Sequence, residues 1–356
     1  MSTLHSLERS RHLVARDLFG ELVDLHLSLD AVLHDKAPGE VRVDHPAQPS
    51  VAFVSSAEGQ YLAGDPSREE LHLALREALP KAAYLITSEA WAEVFDAIWS
   101  NPIPRPHARE IWRHDALDTI GDGEVLPEGL ELRPVDEALL NDTSLGGRDR
   151  ILDWVESWRS TAEFQERGFG RVLVRDGLVV SWSLADCVLS QRAEIGVGTR
   201  VEHRRTGLGR RVVRANLQAA RERGVKTVGW HCLSSNRGSI RLAESLGFER
   251  RGQYLAYSAH LPAENVEDLS IGECRDWAEH HESAREGWPA QAFHAAGAWS
   301  LAGEKDKALA NLEWLLKRRW PLRPEWVEDN WKFASLLDDP DLTALVDRVR
   351  VPTSSS

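Results

Sequence analysis

Alternating hydrophobic and polar positions predict several strands in the middle of the chain. In GRVLVRDGLVVSWSLADCVL, two apolar runs flank the pair Asp176-Gly177, and an Asp-Gly pair between such runs predicts a β-hairpin. The segment RAEIGVGTRV predicts a further strand. Within it, Gly196 and Gly198 indicate a bulge or a place where a ligand approaches the backbone closely.

A helical period follows this strand. Four apolar residues recur at the spacing of one helix face, and Gly224 closes the run; they are Leu208, Val212, Ala215 and Ala219. The segment VKTVGWHCL then predicts a buried strand, and RGSIRLAESLGF predicts a shorter helix that ends at Gly247. The middle of the chain therefore mixes strands and helices in one domain.

The flanking regions have different patterns. The N-terminal region alternates strand-like and helical segments, and Ser67 and Glu70 have the spacing of a capping box at a helix start. The last region contains helices separated by short breaks, and AWSLAGEKDKALANLEWLLKRRWP resembles one degenerate tetratricopeptide unit. We therefore predict an N-terminal α/β domain over residues 1–118, a central domain over 119–262 and an all-helical domain over 263–356.

Composition narrows the class of protein. The chain has 356 residues, of which 42% are hydrophobic and 28% charged, which is ordinary for a soluble protein of two or three domains. The three cysteines, Cys187, Cys232 and Cys274, and the histidine pairs lack metal-ligand spacing, so no metal is expected. No run of about 18 apolar residues occurs, and we expect a cytoplasmic protein without membrane contact. The net charge of -13 disfavours nucleic acid and favours an amine.

Positive charge is nevertheless concentrated in one place. Six arginines lie between Thr199 and Arg214, around a turn that contains Gly207 and Gly209. Glycines let a bulky ligand touch the backbone, and the N–H groups that open a helix favour an anion. The turn therefore predicts a polyphosphate ligand. It lacks the lysine of a P-loop and the third glycine of the dinucleotide fingerprint, so neither ATP nor NAD is expected.

The pattern Arg204-x-x-Gly207-x-Gly209 resembles the acetyl-CoA loop of the GNAT superfamily of N-acetyltransferases. The segment SSNRGSIRLAESLGF, with Asn236 near its start and LGF at its end, resembles the second motif of that family. The N-terminal region is more loosely similar to the first half of larger two-part bacterial members. The resemblance implies an α+β fold with a mixed, splayed β-sheet flanked by helices, an N-terminal α/β region and a helical C-terminal extension.

Acetyl-CoA is the co-substrate that the resemblance implies. Backbone amides of the arginine-glycine turn would hold its diphosphate, and strand backbone with Asn236 would contact the pantetheine arm. The implied CoA-binding residues are Val197, Thr199, Arg204, Arg205, Thr206, Gly207, Leu208, Gly209, Arg210, Asn236 and Ser239. The alternative interpretation is a solvated face of arginines beside a simple chain turn.

Removal of the amine's proton needs a base, because an alkylamine is protonated at neutral pH. Glu194 lies on the strand before the turn, at a position where many relatives have an acidic residue, and it shares a strand face with Gly196 and Gly198. We expect it to act as general base, directly or through a water, with a pKa raised by partial burial. The alternative is a structural carboxylate paired with a neighbouring arginine.

The general acid is harder to identify. Many relatives have a tyrosine seven residues after the asparagine, where this chain has Ala243. Tyr254, Tyr257, Ser234 or His231 could replace it, and Tyr254 is expected to pack in the sheet with its hydroxyl at the surface. A thiolate is a tolerable leaving group, so the reaction could also proceed without an acid.

These residues together predict an acetyl-CoA-dependent N-acetyltransferase that acts on a small, cationic primary amine. Two alternatives remain open at this point: acetylation of a protein, and a non-catalytic CoA-binding protein. The helical C-terminal region is a potential surface for a protein partner or for self-association.

Overall fold

The computed structural model describes residues 3–99, 104–121, 125–328 and 330–350. Its strands form one mixed sheet of twelve strands. They are His5–Ser6 (β1), Gly39–Val43 (β2), Val51–Ser56 (β3), Gln60–Gly64 (β4), Leu85–Thr87 (β5), Arg105–His114 (β6), Leu130–Pro134 (β7), Gly170–Arg175 (β8), Leu178–Leu189 (β9), Arg192–Thr199 (β10), Thr227–Leu233 (β11) and Glu249–Ser258 (β12).

Helices flank the sheet and form the C-terminal region. The α-helices before β11 are Leu22–Leu25 (α1), Leu27–Leu33 (α2), His72–Ala78 (α3), Glu89–Ala92 (α4), Phe95–Ile98 (α5), Glu137–Asn141 (α6), Arg148–Val155 (α7), Thr161–Arg167 (α8) and Leu208–Glu222 (α9). Those after it are Arg237–Ser245 (α10), Ile271–Ala284 (α11), Ala290–Leu301 (α12), Lys305–Lys317 (α13), Pro324–Glu328 (α14) and Pro340–Arg350 (α15). Short 3₁₀ helices cover Arg9–Phe19, Glu69–Leu71, Leu117–Thr119, Val201–His203 and Trp331–Leu336.

The N-terminal and central regions share the sheet by exchanging a strand. The spatial order is β1-β2-β3-β4-β5-β12-β6-β11-β10-β9-β8-β7. Strand β6 therefore lies between β11 and β12, and β12 pairs in turn with β5 of the N-terminal region. Each region completes the other's sheet. The boundaries at residues 118 and 262 stay a prediction.

The sheet splays apart where the site is expected. Strands β10 and β11 run parallel and pair only from Arg192 to Glu194. A β-bulge between Glu194 and Ile195 shifts the register against β9 at the same point. Beyond it, β10 continues to pair with β9, and within this described segment its β11-facing edge has no strand partner. This gap is the splayed mixed sheet that the sequence predicts.

The local predictions near the site are confirmed. Asp176 and Gly177 form the β8–β9 turn, both with φ in the left-handed region, at 50° and 73°. Helix α9 forms after Gly207, and the predicted apolar face is buried against the sheet.

The predicted capping box at Ser67 and Glu70 is wrong. Glu70 accepts a hydrogen bond from Arg68 at 2.6 Å, and the Ser67 amide donates to Asp65. Arg68 binds the Glu70 carboxylate that the capping box would have used.

Separate apolar cores lie on the sheet and in the C-terminal region. The central core packs α9 and the helices after β7 against β8 to β11. The C-terminal region buries its own core between α11, α12, α13 and α15, as the predicted helical extension requires. The likeness to a tetratricopeptide unit stays a prediction. Among the described residues, none of the helices has both the length and the apolar character needed to span a bilayer.

Candidate functional site

A cavity of about 460 Å³ opens at the splay between β10 and β11. Both halves of the sheet contribute to its walls, because β6 and β12 bring the N-terminal region next to β11. The polar and aromatic residues in the wall include His26, Ser28, Glu58, Tyr61 and Tyr84 of the N-terminal region, and Trp154, Asp186, Glu194, His231 and Tyr254 of the central region. A cavity of this volume suits a small molecule.

Glu194 lies in this wall at the bulge of β10. Its Oε1 accepts a hydrogen bond from the Leu27 amide at 3.0 Å and lies 3.4 Å from Nε2 of His231. Burial favours a higher pKa for Glu194, but His231 and the Leu27 amide outweigh it, so the pKa is lowered from its ordinary value. The expected raised pKa is therefore wrong. The ionised form of the Glu194 carboxylate is stabilised, and it pairs with His231 rather than with a neighbouring arginine.

His231 connects Glu194 to Tyr254. Its Nδ1 lies 3.1 Å from the Tyr254 hydroxyl, which also accepts a 2.9 Å hydrogen bond from Nε of Arg109. Arg109 donates a further bond to the Tyr84 hydroxyl at 3.3 Å. Burial raises the pKa of Tyr254, against the opposing charge of Arg109. The hydroxyl thus faces the cavity, and the expectation that it lies at the surface is wrong.

The other acid candidates lie elsewhere. Tyr257 is 5% exposed and belongs to an apolar core, where its ring contacts Phe95 at a centroid distance of 4.9 Å. It is three residues from Tyr254 on the same strand and faces the opposite side of the sheet. Ser234 accepts a hydrogen bond from Gln253 outside the cavity wall. The positions of Tyr257 and Ser234 do not support a role in acid catalysis.

Two further carboxyls make the cavity acidic. Glu58, in the β3–β4 turn, keeps solvent exposure, yet the surrounding protein removes much of the water from its carboxyl. This desolvation and the charge of Glu194 raise the pKa of Glu58 to about 7. Burial and the charges of Glu58 and Glu194 raise the pKa of Asp186 well above its ordinary value. Asp186 accepts a 2.7 Å hydrogen bond from the Trp154 indole.

Tryptophans occupy the space beside the glycines of β10. A Cβ at Gly196 would overlap the Trp154 ring, and one at Gly198 would overlap the Trp182 ring. The glycines were expected to mark a bulge or a close approach of a ligand to the backbone, whereas the space beside them is filled by the two indole rings. The Trp154 ring thereby forms a cavity wall between β10 and Asp186.

The predicted diphosphate turn has the expected backbone. Gly207 has φ of 81° and caps the N-terminus of α9 without a side chain, and Arg205 also has a positive φ, of 62°. Thr206 donates its hydroxyl proton to the His203 carbonyl, which tightens the turn, and Leu208 is buried. A Cβ at Gly209 would be in ordinary van der Waals contact with Leu242 at 3.4 Å and with the Thr199 hydroxyl at 3.6 Å. The N–H groups at the start of a 15-residue helix favour an anion here.

The residues predicted to contact pantetheine surround the splay. Val197 lines the cavity and pairs with Ser183 of β9, so its strand has a partner on that side alone. Ser239 also lines the cavity, where its hydroxyl accepts a hydrogen bond from Trp230 at 2.9 Å. The Asn236 carbonyl oxygen accepts a 2.9 Å hydrogen bond from the Ser239 amide and so caps α10. The structure thus brings the two predicted motifs to the same opening.

Two arginines of the predicted diphosphate turn contact side chains of the segment that follows β12. Arg204 donates to the Asn265 side chain at 2.9 Å and to the Thr199 carbonyl at 3.2 Å. Arg205, on the surface, pairs with Glu267 at 2.6 Å. The cationic side chains of the turn are therefore engaged within the chain, and the backbone amides are the better anion donors.

Sequence reasoning missed the contribution of the N-terminal region. His26, Glu58, Tyr84 and Arg109 join the cavity through strand exchange, and their own segments carry no motif. The available signals were a charged residue in the middle of a strand, Arg109, and a carboxyl in a tight strand-to-strand turn, Glu58. In the described parts of the chain, no group of three or more histidine, cysteine, aspartate or glutamate residues has the arrangement of a metal site.

Comparisons with known proteins agree with this architecture. A family model described as GNAT acetyltransferase matches residues 22–257. An uncharacterized N-acetyltransferase of Bacillus subtilis is 25% identical over 265 residues, which is 72% of this chain and 99% of that protein. The crystal structure of a GCN5-related N-acetyltransferase-like protein from Streptococcus suis has a TM-score of 0.54 at 24% identity, and covers 70% of this chain and 99% of that one. This likeness confirms the predicted fold. The helical C-terminal region lies outside the matched residues.

Proposed function

Because the chain belongs to the GNAT acetyltransferase family, we propose that it transfers the acetyl group of acetyl-CoA to a primary amine of a small cationic molecule. One observation carries the choice of acceptor: Glu58, Asp186 and Glu194 line the same cavity. Three carboxyls in one small enclosure repel each other and lose solvation. A cationic guest relieves both effects, whereas a neutral or anionic guest relieves neither.

The electrostatics of the cavity support a cation as well. The raised pKa values of Glu58 and Asp186 mean that these carboxyls hold protons which a bound ammonium would displace. Arg109 is the neighbouring fixed cation, and two tyrosine hydroxyls accept its hydrogen bonds. The Trp154 ring adds an aromatic wall, a surface that attracts ammonium groups.

Acetyl-CoA would enter from the other side of the splay. The amides of the turn at Gly207 are suited to the diphosphate, and the unpaired edge of β10 at Val197 is suited to the pantetheine arm. This placement directs the thioester toward Glu194 and His231. A backbone N–H on the splayed strand, such as that of Val197, is suited to the oxyanion that develops during attack.

The acceptor amine would attack the thioester directly. Glu194 is the anionic end of the proton-accepting machinery, and its role as general base remains part of this proposal. The buried carboxylate attracts the ammonium form, and the proton must leave before nitrogen can attack. The alternative acceptor is a free α-amine of a peptide, so short peptides are tested as acceptors as well.

Thiol release tests the proposal. Purified protein, acetyl-CoA and single acceptors are mixed, and the free thiol is followed with a chromogenic disulfide. Diamines, polyamines, aminoglycosides, neutral monoamines, amino acids and short peptides form the panel. We expect turnover with small cationic amines that carry a second ammonium group, and at least about tenfold less with a monoamine of equal length.

A matched pair of variants locates the effect. Glu58→Gln with Asp186→Asn should reduce kcat/KM for the cationic amines, while acetyl-CoA affinity stays unchanged. Glu131→Gln, on β7 with a side chain that is 68% exposed, serves as the control. Turnover confined to peptides, or a complete lack of thiol release despite CoA binding, would contradict the proposed acceptor.

A further inference from the structure

Two hydrogen bonds and one close imidazole–carboxylate contact link four side chains in series along the cavity wall. Arg109 Nε lies 2.9 Å from the Tyr254 hydroxyl, and this hydroxyl lies 3.1 Å from His231 Nδ1. On the other side of the imidazole, Nε2 lies 3.4 Å from Oε1 of Glu194. His231, Tyr254 and Glu194 all line the cavity, so the chain runs along the surface that an acceptor would touch.

Elementary donor and acceptor rules fix the direction of this chain. A guanidinium group only donates, so the Tyr254 oxygen accepts from Arg109 and turns its own proton toward His231. An ionised carboxylate only accepts, so His231 carries its proton on Nε2 and directs it to Glu194. The lone pair of a neutral imidazole is then on Nδ1, facing the Tyr254 proton. Only this orientation of the protons gives an acceptor to each of the donors on Arg109, Tyr254 and His231.

We infer that Tyr254, His231 and Glu194 act as a triad in which His231 holds the proton lost by the acceptor amine, Tyr254 passes it, and Glu194 positions the imidazole. The inference rests on the proposed acetyl transfer and names its proton path. This path refines the proposed general-base role of Glu194, because the carboxylate acts through His231 instead of taking the proton itself. The arrangement follows the logic of a hydroxyl, an imidazole and a carboxylate in series.

The proton path balances over one turnover. The amine enters this path in its neutral form, after its ammonium proton has passed to solvent. As its nitrogen bonds to the thioester carbon, the carbonyl π electrons move to oxygen. The nitrogen's proton then passes to the Tyr254 oxygen while the Tyr254 proton passes to His231 Nδ1. The resulting imidazolium is paired with Glu194. The oxyanion electrons then re-form the carbonyl as the carbon–sulfur bond breaks, and the electron pair of that bond stays on sulfur. The thiolate takes a proton from Tyr254, and His231 returns one to Tyr254.

The surroundings of the triad favour this role. The His26 ring packs edge-on against Tyr254 at a centroid distance of 4.5 Å and lies 5.2 Å from His231, so it shields the relay from water. Arg109 favours negative charge on the Tyr254 oxygen at the moment of transfer. The Leu27 amide fixes the Glu194 oxygen that faces His231. Each contact orients the relay or stabilises a charge that it develops.

Two single substitutions and their combination test the triad. Tyr254→Phe and His231→Gln should each lower kcat for the best amine of the panel by about 100-fold or more, with acetyl-CoA affinity unchanged by calorimetry. The double variant should be no slower than the worse single one, because both changes break the same path. Tyr257→Phe, a tyrosine of the same strand outside the cavity, is the control and should retain full activity.

A direct measurement on the unmodified protein covers the case in which a variant misfolds. Nitrogen NMR of labelled histidine, with His231 assigned by the signal that His231→Gln removes, should show that the neutral form of the ring carries its proton on Nε2. A ring protonated on Nδ1 would overturn the triad. So would an active wild type in which Tyr254→Phe or His231→Gln keeps more than about a third of kcat.

The two proposals fail in different ways. A wild-type protein that binds acetyl-CoA yet releases no thiol with any amine overturns the proposed function, and the inferred proton path falls with it. An active wild type whose two single variants act additively overturns the shared path alone, because additivity means that His231 and Tyr254 serve separate steps.

Discussion

The Asn236 amide donates a 2.7 Å hydrogen bond to the carboxylate of Glu264, a residue that follows the last strand of the sheet. Asn236 is predicted to contact the pantetheine arm, and Glu264 lines the cavity beside it. Burial raises the pKa of Glu264. A carboxylate thus competes for a donor that acetyl-CoA would use, close to the turn that would hold the diphosphate.

Glu264→Gln should therefore strengthen acetyl-CoA binding, because it removes a negative charge near an anionic ligand and keeps an oxygen for Asn236. We expect Kd to fall by about threefold to tenfold at low salt, and the gain to shrink at high salt. Titration calorimetry at two ionic strengths measures it, with Glu131→Gln as the distant control. A Kd that rises would mean that Glu264 helps to build the CoA site.

Gly207→Val should weaken acetyl-CoA binding by at least about tenfold. Gly207 has φ of 81°, and a side chain there would be strained and would crowd the anion site although it meets no atom of the chain. Gly129 has φ of 74° and equally open space, so Gly129→Val is a matched control for backbone strain. Both variants should lose about 1–2 kcal/mol of stability by thermal unfolding, and Gly207→Val alone should lose CoA affinity. Equal affinities for the two variants would contradict the predicted diphosphate turn.

Binding of a cationic amine should strengthen as pH rises through about 7, the pKa of Glu58. The raised pKa means that Glu58 is partly protonated near neutrality, and its ionised form attracts an ammonium better. The charged or titratable groups that act on it are Glu194, Arg109 and His231, and it acts in turn on Asp186. Calorimetry between about pH 6 and 8 measures the affinity of a diamine. The dependence should flatten in Glu58→Gln, and a profile unchanged by that substitution would place the titrating group elsewhere.

The same raised pKa predicts an effect on folding in the absence of amine. An unfolded chain ionises Glu58 near its ordinary value, whereas the folded protein resists until about pH 7. Stability contributed by the neutral carboxyl is therefore lost as pH rises between these two values. Glu58→Gln should unfold at a higher temperature than wild type at pH 8 and show no advantage near pH 4. The opposite order would show that the carboxylate is stabilised in the folded state.

Gly196→Ala should destabilise the protein by about 1–3 kcal/mol, because the added methyl group overlaps the Trp154 ring. Displacing that ring also breaks its bond to Asp186, so acceptor KM should rise while acetyl-CoA affinity changes little. Gly252→Ala, at an open position of β12, is the control. Denaturant unfolding and initial rates measure both effects. A fully stable and active Gly196→Ala protein would show that the indole wall can move freely.

The sequence predicted the features that short-range patterns encode. The β8–β9 turn depends on two adjacent residues, and the helix after Gly207 depends on a local stripe. The N-terminal side of the cavity could not be predicted. Glu58 and Arg109 reach the cavity because the two regions exchange a strand, and no local sequence pattern indicates that exchange. Alternation along β12 puts Tyr254 and Tyr257 on opposite faces of the sheet, but the sequence does not show which face borders the cavity, because that depends on how β12 pairs with β6. The sign of the Glu194 pKa shift likewise depends on His231, a partner from another strand.

Strand β6 joins two parts of the sheet that are made at very different times. During synthesis, a ribosome releases β6 long before β11 and β12, so one of its edges has no partner until β11 is made and the other has none until β12 is made. Exposed strand edges are where nascent chains aggregate. The complete sheet can therefore form only late in synthesis, after β12 has left the ribosome. A fragment that stops at residue 118 should accumulate in inclusion bodies unless its complement is produced in the same cell.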